Sequence, residues 1–590
     1  MSRILQVFYV ILSAAALSLG IPNEIYNLGS PFFGFLALIP LYFVYSSCTS
    51  YKTFALCMGL HAGLVHLLSS FWLAFFKDFA ALTLGASATA TAVISLLCGL
   101  FFFIPFSKTN GPSTAKAQFL INDAWYTSKK ILWFPLCYVT WEWVKSTGFL
   151  AYPWGTLYQT TYHIKIFTQI ADITGVYGIS FLIALFAALC AEGILLYFKQ
   201  EPEYTKLRHT ESYIYTAMTA GVLFLLTFAY GTFQYLLPRK PEKLVNTIMV
   251  QQNADPWKVA SDDETILVSE RLTKNKINEA KSKGHNVDLI VWSEGCLKYR
   301  FPRAESHYTY FPREKPLIPF IKETKIPFLL GGSYAPTGTS SHFNGALLFD
   351  SEGHFRGAYP KNHLVPLAES VPFTDIKPVA DFFKNIIGIS AGWTPGNKYT
   401  MFSIPCRYPP ERLPEVTNVI SLKETFSDSK NTQKPFVQFS APICFDDAFP
   451  DVCRPLVKYG SEFFMNITDD SWSMKKSSEY QHFVVSYFRA IEHRTTLARS
   501  TNSGYSAVID PSGRIIMDMP LFEEAAEFVQ IPVYRKSNTV YQTLGNWLPV
   551  LFFITILLSI AYEIITQNKP LTVKSERNKL SKHKKHKKRK

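Results

Sequence analysis

Three short segments of the chain carry the residue types that covalent acyl chemistry needs. They are IVWSEG, which contains Glu294, YPKNHLVP, which contains Lys361, and APICFDD, which contains Cys444. A thiol becomes a useful nucleophile only when a base takes its proton and a cation or backbone amide stabilises the resulting oxyanion. Glutamate, lysine and cysteine can fill these roles, so we predict that the three residues form one catalytic site.

Each of these residues lies where an apolar, strand-like run meets a turn, a position from which a rigid scaffold can aim side chains at one point. Cys444 stands between a strand and a turn that leads into a helix, an elbow that exposes a nucleophile. Partial burial of Glu294 would raise its pKa and suit it to proton transfer. Glu369 follows Lys361 by eight residues, and we expect it to hold the ammonium or to orient substrate.

Each residue taken alone has a plainer interpretation. Cys444 could be a buried structural cysteine, Glu294 a bridging surface carboxylate and Lys361 a solvated lysine, because these are the common environments of such side chains. Their joint occurrence favours catalysis.

The elements that must position these residues belong to a domain attached to membrane helices. With 590 residues, 48% of them hydrophobic and 15% aromatic, the chain is too long and too apolar for one soluble domain. Eight apolar runs approach the length of about 20 residues that crosses a bilayer. They cover 4–21, 31–48, 54–76, 84–106, 131–147, 175–198, 213–237 and 548–565.

These runs predict four parts of the chain. Seven helices form a bundle over 1–238, a catalytic domain covers 239–545, the last membrane helix covers 546–568, and a basic tail covers 569–590. Lysine and arginine concentrate in alternate loops, which predicts a cytoplasmic N-terminus, an extracytoplasmic catalytic domain and a cytoplasmic tail.

The net charge of +14 owes much to that tail, KLSKHKKHKKRK. A basic run directly after a membrane helix is typical of contact with anionic lipid, so we do not expect nucleic acid as a partner.

Strand-like and helix-like segments alternate between 245 and 515, which predicts an α/β or α+β sandwich. The segment 497–515 is expected to form a hairpin whose turn is AspProSerGly, and 407–435 is expected to be an exposed insertion.

Five of the nine cysteines fall within the apolar runs, and the other four, Cys296, Cys406, Cys444 and Cys453, show no CxxC or Cys/His ligand spacing, so no metal site is expected. In an oxidising compartment Cys406 could pair with Cys296 or with Cys453, while Cys444 would stay reduced.

The motifs around the three reactive residues resemble the nitrilase (carbon–nitrogen hydrolase) superfamily, whose triad is Glu, Lys and Cys in that chain order. They are TrpSerGlu ending at Glu294, the run from Tyr359 through Lys361 to Glu369, and IleCysPheAsp at 443–446. The order of helices, catalytic domain and last helix is similar to one family within it, the apolipoprotein N-acyltransferases. The segments 466–472, 481–482, 489–492 and 501–504 also follow that family's pattern.

Other positions extend the resemblance or depart from it. Trp154, in TyrProTrpGly, matches a Pro-Trp motif of the family, and Trp257 stands where the family has a tryptophan near its substrate. Phe445 and Asp446 replace a tyrosine and a glutamate, which makes a role for that acid in holding the incoming amine less secure.

The resemblance implies an αββα sandwich on about eight transmembrane helices, in a bacterial inner membrane with the catalytic domain periplasmic. It implies a monomer without cofactor or metal that moves a fatty acyl chain from a membrane phospholipid, through a Cys444 thioester, to the N-terminal cysteine of diacylglyceryl apolipoproteins. Two alternatives stay open: a membrane-tethered amidase that uses water as acceptor, and an inert scaffold or transporter with Glu142 and Glu192 inside its helices.

Overall fold

All eight apolar runs form helices in the computed structural model, which describes residues 1–48, 50–76, 80–102, 125–148, 150–198, 203–255, 261–366, 368–370, 376–382, 392–409 and 435–567. The helices are Arg3–Gly20, Pro31–Leu36, Leu38–Ser47, Tyr51–Ser69, Ala80–Gly99, Tyr126–Lys145, Val176–Phe198, Glu203–Leu236 and Trp547–Gln567. Trp257, most of the predicted insertion and the basic tail lie outside the described residues.

The second run differs from the prediction because it breaks into two helices at Ala37. Pro40 has no N–H to donate to the carbonyl of Leu36, four residues earlier. The next carbonyl along the chain, that of Ala37, accepts a hydrogen bond from Ser13 Oγ at 2.7 Å. The third run also ends early: Tyr51–Ser69 is followed by the short 3-10 helix Phe71–Phe75.

Four helical segments are long and apolar enough to cross a membrane, among the residues that the structure describes. They are Arg3–Gly20, Thr83–Phe102, Val176–Phe198 and Leu207–Leu236. Pro31–Ser47 and Trp547–Tyr562 are shorter apolar helices, so the count of about eight spans stays a prediction.

The domain predicted to be catalytic contains two β-sheets with helices outside them, as the predicted sandwich requires. Its strands are β1 Pro241–Gln251, β2 Leu289–Trp292, β3 Leu297–Phe301, β4 Phe328–Tyr334, β5 Phe343–Phe349, β6 Phe355–Pro360, β7 Phe402–Pro405, β8 Phe436–Ser440, β9 Phe463–Thr468, β10 Thr496–Thr501, β11 Ala507–Ile509, β12 Ile515–Asp518 and β13 Ala525–Tyr534. One sheet has the order β13-β1-β2-β4-β5-β6, with β3 paired to β4, and the other has the order β12-β11-β10-β9-β8-β7.

Alternation along the strands explains the layers. In β1, Val245 and Met249 join the core between the two sheets, whereas Ile248 and Val250 join the core beneath the outer helices. Those outer helices are Asp263–Ser282 and Leu317–Thr324 on the first sheet, and Pro450–Lys458 and Lys476–His493 on the second. The short helices Glu305–Tyr308, Lys377–Phe382 and Val540–Leu544 complete the domain.

The predicted single hairpin over 497–515 is wrong in one respect. The AspProSerGly turn joins β11 to β12, and a separate turn after Thr501 joins β10 to β11, so the segment begins two successive hairpins. The hydroxyl of Ser506 closes the first turn by accepting the N–H of Thr501 at 3.0 Å.

This two-sheet domain packs directly on one end of the helical bundle. Gln481, on the helix Lys476–His493, donates to the carbonyls of Pro22 and Ser69 at 2.8 Å each. Arg494 reaches Asp172 Oδ2 at 2.7 Å and Gln169 Oε1 at 2.6 Å. Buried apolar residues continue across this contact as one core, so bundle and domain form a single packed unit.

Arg494→Ala should strongly destabilise this contact. The guanidinium is 3% exposed and its partner Asp172 is 7% exposed, so its removal leaves an uncompensated buried carboxylate at a cost of about 3–5 kcal/mol. Thermal unfolding of the protein in detergent micelles measures the loss. Arg271→Ala is the matched control, because Arg271 and Glu524 are 55% and 43% exposed and such pairs contribute about 0–1 kcal/mol. An equal fall in melting temperature for both variants would contradict the assignment.

Candidate active site

Glu294 lies directly beyond the end of β2 and is almost completely buried, at 7% exposure. Its Oε1 accepts hydrogen bonds from Asn344 Nδ2 at 2.6 Å and from Lys361 Nζ at 3.1 Å. Its Oε2 accepts the backbone N–H of Asp469 at 2.8 Å. Burial raises the pKa of Glu294 and the positive charge of Lys361 only partly offsets it, which suits this carboxylate to accept a proton.

The neighbouring strand β4 must pass very close to the Glu294 backbone. A Cβ at Gly331 would stand 2.3 Å from the carbonyl oxygen of Ser293 and 2.4 Å from the Cα of Glu294. Only glycine permits this approach, so Gly331 allows β4 to pass directly beside the backbone that carries Glu294.

Lys361 follows the last residue of β6 and is 1% exposed. Its ammonium donates to Glu294 and, at 2.9 Å, to Glu369 Oε1. Glu369 is itself held by the N–H of Val365, which donates to Oε2 at 2.8 Å. Burial alone would lower the pKa of Lys361, but the negative charges of Cys444 in its thiolate form, of Glu294 and of Glu369 raise it well above its ordinary value. Lys361 is therefore a permanent cation.

Cys444 opens a 3-10 turn, Cys444–Ala448, and has a φ of 45°. This left-handed conformation is uncommon for a residue with a side chain and is typical of strained functional positions. Burial raises the pKa of the Cys444 thiol well above its ordinary value; Glu294 raises it further, and Lys361 opposes the shift. The thiol is protonated at rest and needs a base to become a nucleophile.

The structure thus brings the four predicted residues to one place. Glu294, Lys361 and Glu369 are joined by direct hydrogen bonds. Cys444 interacts electrostatically with all three.

Asp446 is completely buried, and its carboxylate accepts hydrogen bonds from other groups of the protein. Its Oδ1 accepts the N–H of His363 at 2.7 Å, and its Oδ2 accepts the N–H of Ile443 at 3.1 Å and the hydroxyl of Tyr359 at 2.9 Å. The shorter acid therefore ties the turn after Lys361 to the Cys444 turn. A role in holding an incoming amine does not fit this arrangement.

Trp154 reaches the site from the bundle. Its ring stacks on Phe445 at a centroid distance of 5.4 Å and an angle of 10°, and it also contacts His482 and Trp72. The backbone carbonyl of Trp154 accepts the Lys145 ammonium at 2.6 Å. The residue next to Cys444 is therefore in contact with a bundle loop.

Four buried charged residues behind Cys444 form a closed arrangement, which we call the charge ring: Asp447, His482, Asp470 and Arg499. His482 Nε2 lies 3.0 Å from Asp447 Oδ1, and Nδ1 lies 2.6 Å from Asp470 Oδ1. Arg499 donates to Asp447 and, at 3.3 Å, to Asp470.

The sequence assigned no role to these four residues or to Asn344. Asp470 and His482 do lie in segments that resemble family motifs, and Asp447 adjoins Cys444, where adjacent carboxylates must be wet or paired. These features are the signals in the sequence that point to the charge ring.

Cys444, Asp470 and His482 place a sulfur, an oxygen and a nitrogen within 4.8 Å of one another. Such a set resembles a metal site, but both nitrogens of His482 face carboxylate oxygens and therefore carry protons. A protonated imidazole has no lone pair for a metal ion.

Comparison with known proteins matches both parts of the chain. Residues 13–189 match the apolipoprotein N-acyltransferase N-terminal domain, and residues 249–535 match the carbon–nitrogen hydrolase family. Apolipoprotein N-acyltransferase 2 of Treponema denticola is 39% identical over 95% of this chain and 98% of its own length. Apolipoprotein N-acyltransferase 2 of Treponema pallidum is 35% identical over 91% of each chain. Apolipoprotein N-acyltransferase of Borreliella burgdorferi is 28% identical over 90% of each.

His482→Gln should destabilise the protein at neutral pH and much less at alkaline pH. Burial opposes the charge, but Asp470 and Asp447 raise the pKa of His482 to about 9, whereas an unfolded histidine has a pKa of about 6.5. The charged His482 therefore stabilises the folded protein by at most about 3 kcal/mol; this contribution is complete below about pH 6.5 and is lost as the pH rises through about 9. Melting temperatures of both proteins between pH 6 and 10 should therefore converge. His354→Gln, at a side chain 64% exposed, should show no such convergence, and a constant gap for His482→Gln would refute the assignment.

Proposed function

The chain belongs to the apolipoprotein N-acyltransferase family, and on this premise we propose the reaction that its buried site carries out. The enzyme transfers a fatty acyl chain from a membrane phospholipid to the α-amino group of the N-terminal diacylglyceryl-cysteine of apolipoproteins, by way of a thioester on Cys444. The observation that carries the proposal is a buried Glu294–Lys361 pair at 3.1 Å whose charges act on the Cys444 thiol, next to the Phe445 ring that stacks on Trp154 of the bundle.

In the first half-reaction Glu294 accepts the proton of the Cys444 thiol, and the sulfur attacks the ester carbonyl carbon of the phospholipid. The carbonyl π electrons move to oxygen, and Lys361 stabilises that oxyanion as a preorganised cation. When the oxyanion collapses, the carbon–oxygen ester bond breaks. The lysophospholipid leaves as an alcohol after it takes the proton from Glu294.

In the second half-reaction the acceptor's amine attacks the thioester carbonyl carbon. Lys361 again stabilises the oxyanion, the carbon–sulfur bond breaks, and Glu294 carries the amine proton to the departing sulfur. The products are an N-acylated lipoprotein and the free Cys444 thiol, so the same base and cation serve both steps.

Contact with the bundle places the site beside apolar surface, which suits a substrate with long acyl chains. Removal of an acyl chain from the bilayer costs about 0.8 kcal/mol for each exposed CH₂. Phe445, next to Cys444, stacks on Trp154 of the bundle, and Phe75 and Met474 are 48% and 49% exposed. In the proposed reaction such apolar surface keeps the acyl chains within lipid, and the aromatic surroundings protect the thioester from water.

We propose the predicted topology for the same reasons of charge placement and hydropathy. Seven helices over 1–238 and one over 546–568 cross a bacterial inner membrane, the catalytic domain over 239–545 is periplasmic, and the tail over 569–590 is cytoplasmic. The enzyme acts as a monomer. Four of the described helices have the length and apolarity for such crossings.

Substitution of the nucleophile tests the chemistry. Cys444→Ala should abolish both half-reactions, whereas Glu294→Gln should lower thioester formation by about 10²-fold or more because it removes the base. Mass spectrometry of the purified protein after incubation with phospholipid should find a fatty-acyl mass on Cys444 of the wild type, much less on that of Glu294→Gln, and none on the Cys444→Ala protein. Cys190→Ala, at a half-buried thiol within the bundle, is the matched control and should acylate normally. Acylated lipoprotein from the Cys444→Ala variant would refute the mechanism.

Labelling of single introduced cysteines tests the topology. In a functional variant that keeps Cys444 but lacks the other native cysteines, Glu352→Cys in the catalytic domain should react with a membrane-impermeant maleimide in intact spheroplasts. Lys52→Cys, at an exposed position in the first turn of the helix Tyr51–Ser69, should react only after lysis. The reverse pattern would invert the proposed orientation.

A further inference from the structure

The charge ring joins four different elements behind the nucleophile. Asp447 lies on the 3-10 turn that Cys444 opens, Asp470 follows β9, His482 lies on the helix that contacts the bundle, and Arg499 lies on β10. Asp447 and Arg499 are completely buried, and the side chains of His482 and Asp470 are 6% and 7% exposed. Solvent therefore cannot balance their charges, and they must balance one another.

The ring is close enough to act on the sulfur. The Cys444 sulfur, an Asp470 oxygen and a His482 nitrogen lie within 4.8 Å of one another. Beside burial and Glu294, negative charge on Asp470 opposes ionisation of the Cys444 thiol, while Lys361 favours it. Anything that cancels the charge of Asp470 therefore assists thiolate formation.

The charges of the ring cancel only when His482 is protonated. Two aspartates then face one arginine and one imidazolium, for a net charge of zero. A neutral His482 would leave a net charge of −1 beside the sulfur. Glu479 lies near Asp470 outside the ring; burial and the charges of Asp470 and Asp469 raise its pKa well above the ordinary value, which favours its neutral form.

His482 cannot serve as a general base in this arrangement. Each ring nitrogen faces a carboxylate oxygen at 3.0 Å or less and carries a proton, so neither can accept one from the thiol. Its available contribution is its charge and the position that the charge occupies.

We propose that His482 is a positioning residue for acyl transfer, which as an imidazolium held between Asp447 and Asp470 cancels the charge of Asp470 beside the sulfur. Negative charge can then develop on Cys444 next to Lys361 without opposition from Asp470. The inference rests on Cys444 being the nucleophile of the proposed function, and it adds an electrostatic requirement behind that nucleophile.

Alkylation of Cys444 by iodoacetamide tests the proposal without any lipid substrate. The rate is measured between pH 6 and 10 on the full-length protein in detergent micelles, with modification of Cys444 read by peptide mass spectrometry. His482→Gln leaves a ring charge of −1 and should slow alkylation about tenfold at pH 8, with the pH profile moved upward by about one unit.

Charge-restoring variants separate electrostatics from loss of contacts. The double variant His482→Gln/Asp470→Asn has a ring charge of zero and should alkylate within about threefold of the wild type, although it has lost more hydrogen bonds than the single variant. A purely structural role predicts the opposite, because two disruptions would slow the reaction at least as much as one.

His482→Lys supplies a second route if His482→Gln does not fold. It keeps the positive charge in altered geometry and should retain the wild-type pH profile, with His354→Gln as the matched surface control. The proposal is overturned if His482→Gln alkylates with the wild-type pH profile, or if the double variant is slower than His482→Gln. Absence of an acyl-enzyme in the wild type would instead refute the proposed function, since alkylation does not depend on phospholipid.

Discussion

The burial of the Lys361 ammonium is the constraint on which the rest of the site depends. A cation that is 1% exposed remains charged only if anions contact it, and Glu294 and Glu369 supply those anions at 3.1 and 2.9 Å. Each carboxylate must then be placed by its own scaffold: Glu294 by Asn344 and the N–H of Asp469, and Glu369 by the N–H of Val365. The close approach of β4 at Gly331 and the hydrogen bonds by which Asp446 joins the two turns also help to place the groups around the buried ammonium. The catalytic groups are therefore parts of one electrostatic unit.

The long helix Lys476–His493 has two partners, and this links the chemistry to the membrane part. Its buried face packs on the second sheet, where His482 enters the charge ring behind Cys444. The adjacent residue, Gln481, contacts the bundle at Pro22 and at Ser69, the last residue of the helix Tyr51–Ser69. Neighbouring residues on one helix thus connect the charge ring near the nucleophile to the helical bundle.

The sequence predicted the parts of the site that lie at strand ends within short motifs, namely Glu294, Lys361, Glu369 and Cys444. It could not reveal Asp469, because that residue contributes a backbone N–H, which any residue type offers. Asn344 lies in β5 without a local signal, and its role depends on the register between β4 and β5. In the bundle, apolar runs predicted the helices, and Pro40 is the local signal for the break at Ala37, but the hydrogen bond from Ser13 to the Ala37 carbonyl comes from packing of the two helices and could not be predicted. The role of Asp446 also depended on tertiary contacts, since the turn that it holds comes from a distant part of the chain.

The stacked rings of Trp154 and Phe445 have a consequence for how such proteins can change over time. One ring belongs to the bundle and the other follows the nucleophile, so neither half of the chain can be exchanged with that of a distant relative as an independent module. A hybrid would retain a well-packed joint only if both aromatic partners, together with Gln481 and Arg494, came from the same parent. Recombination within this family should therefore favour crossovers that inherit the joint intact.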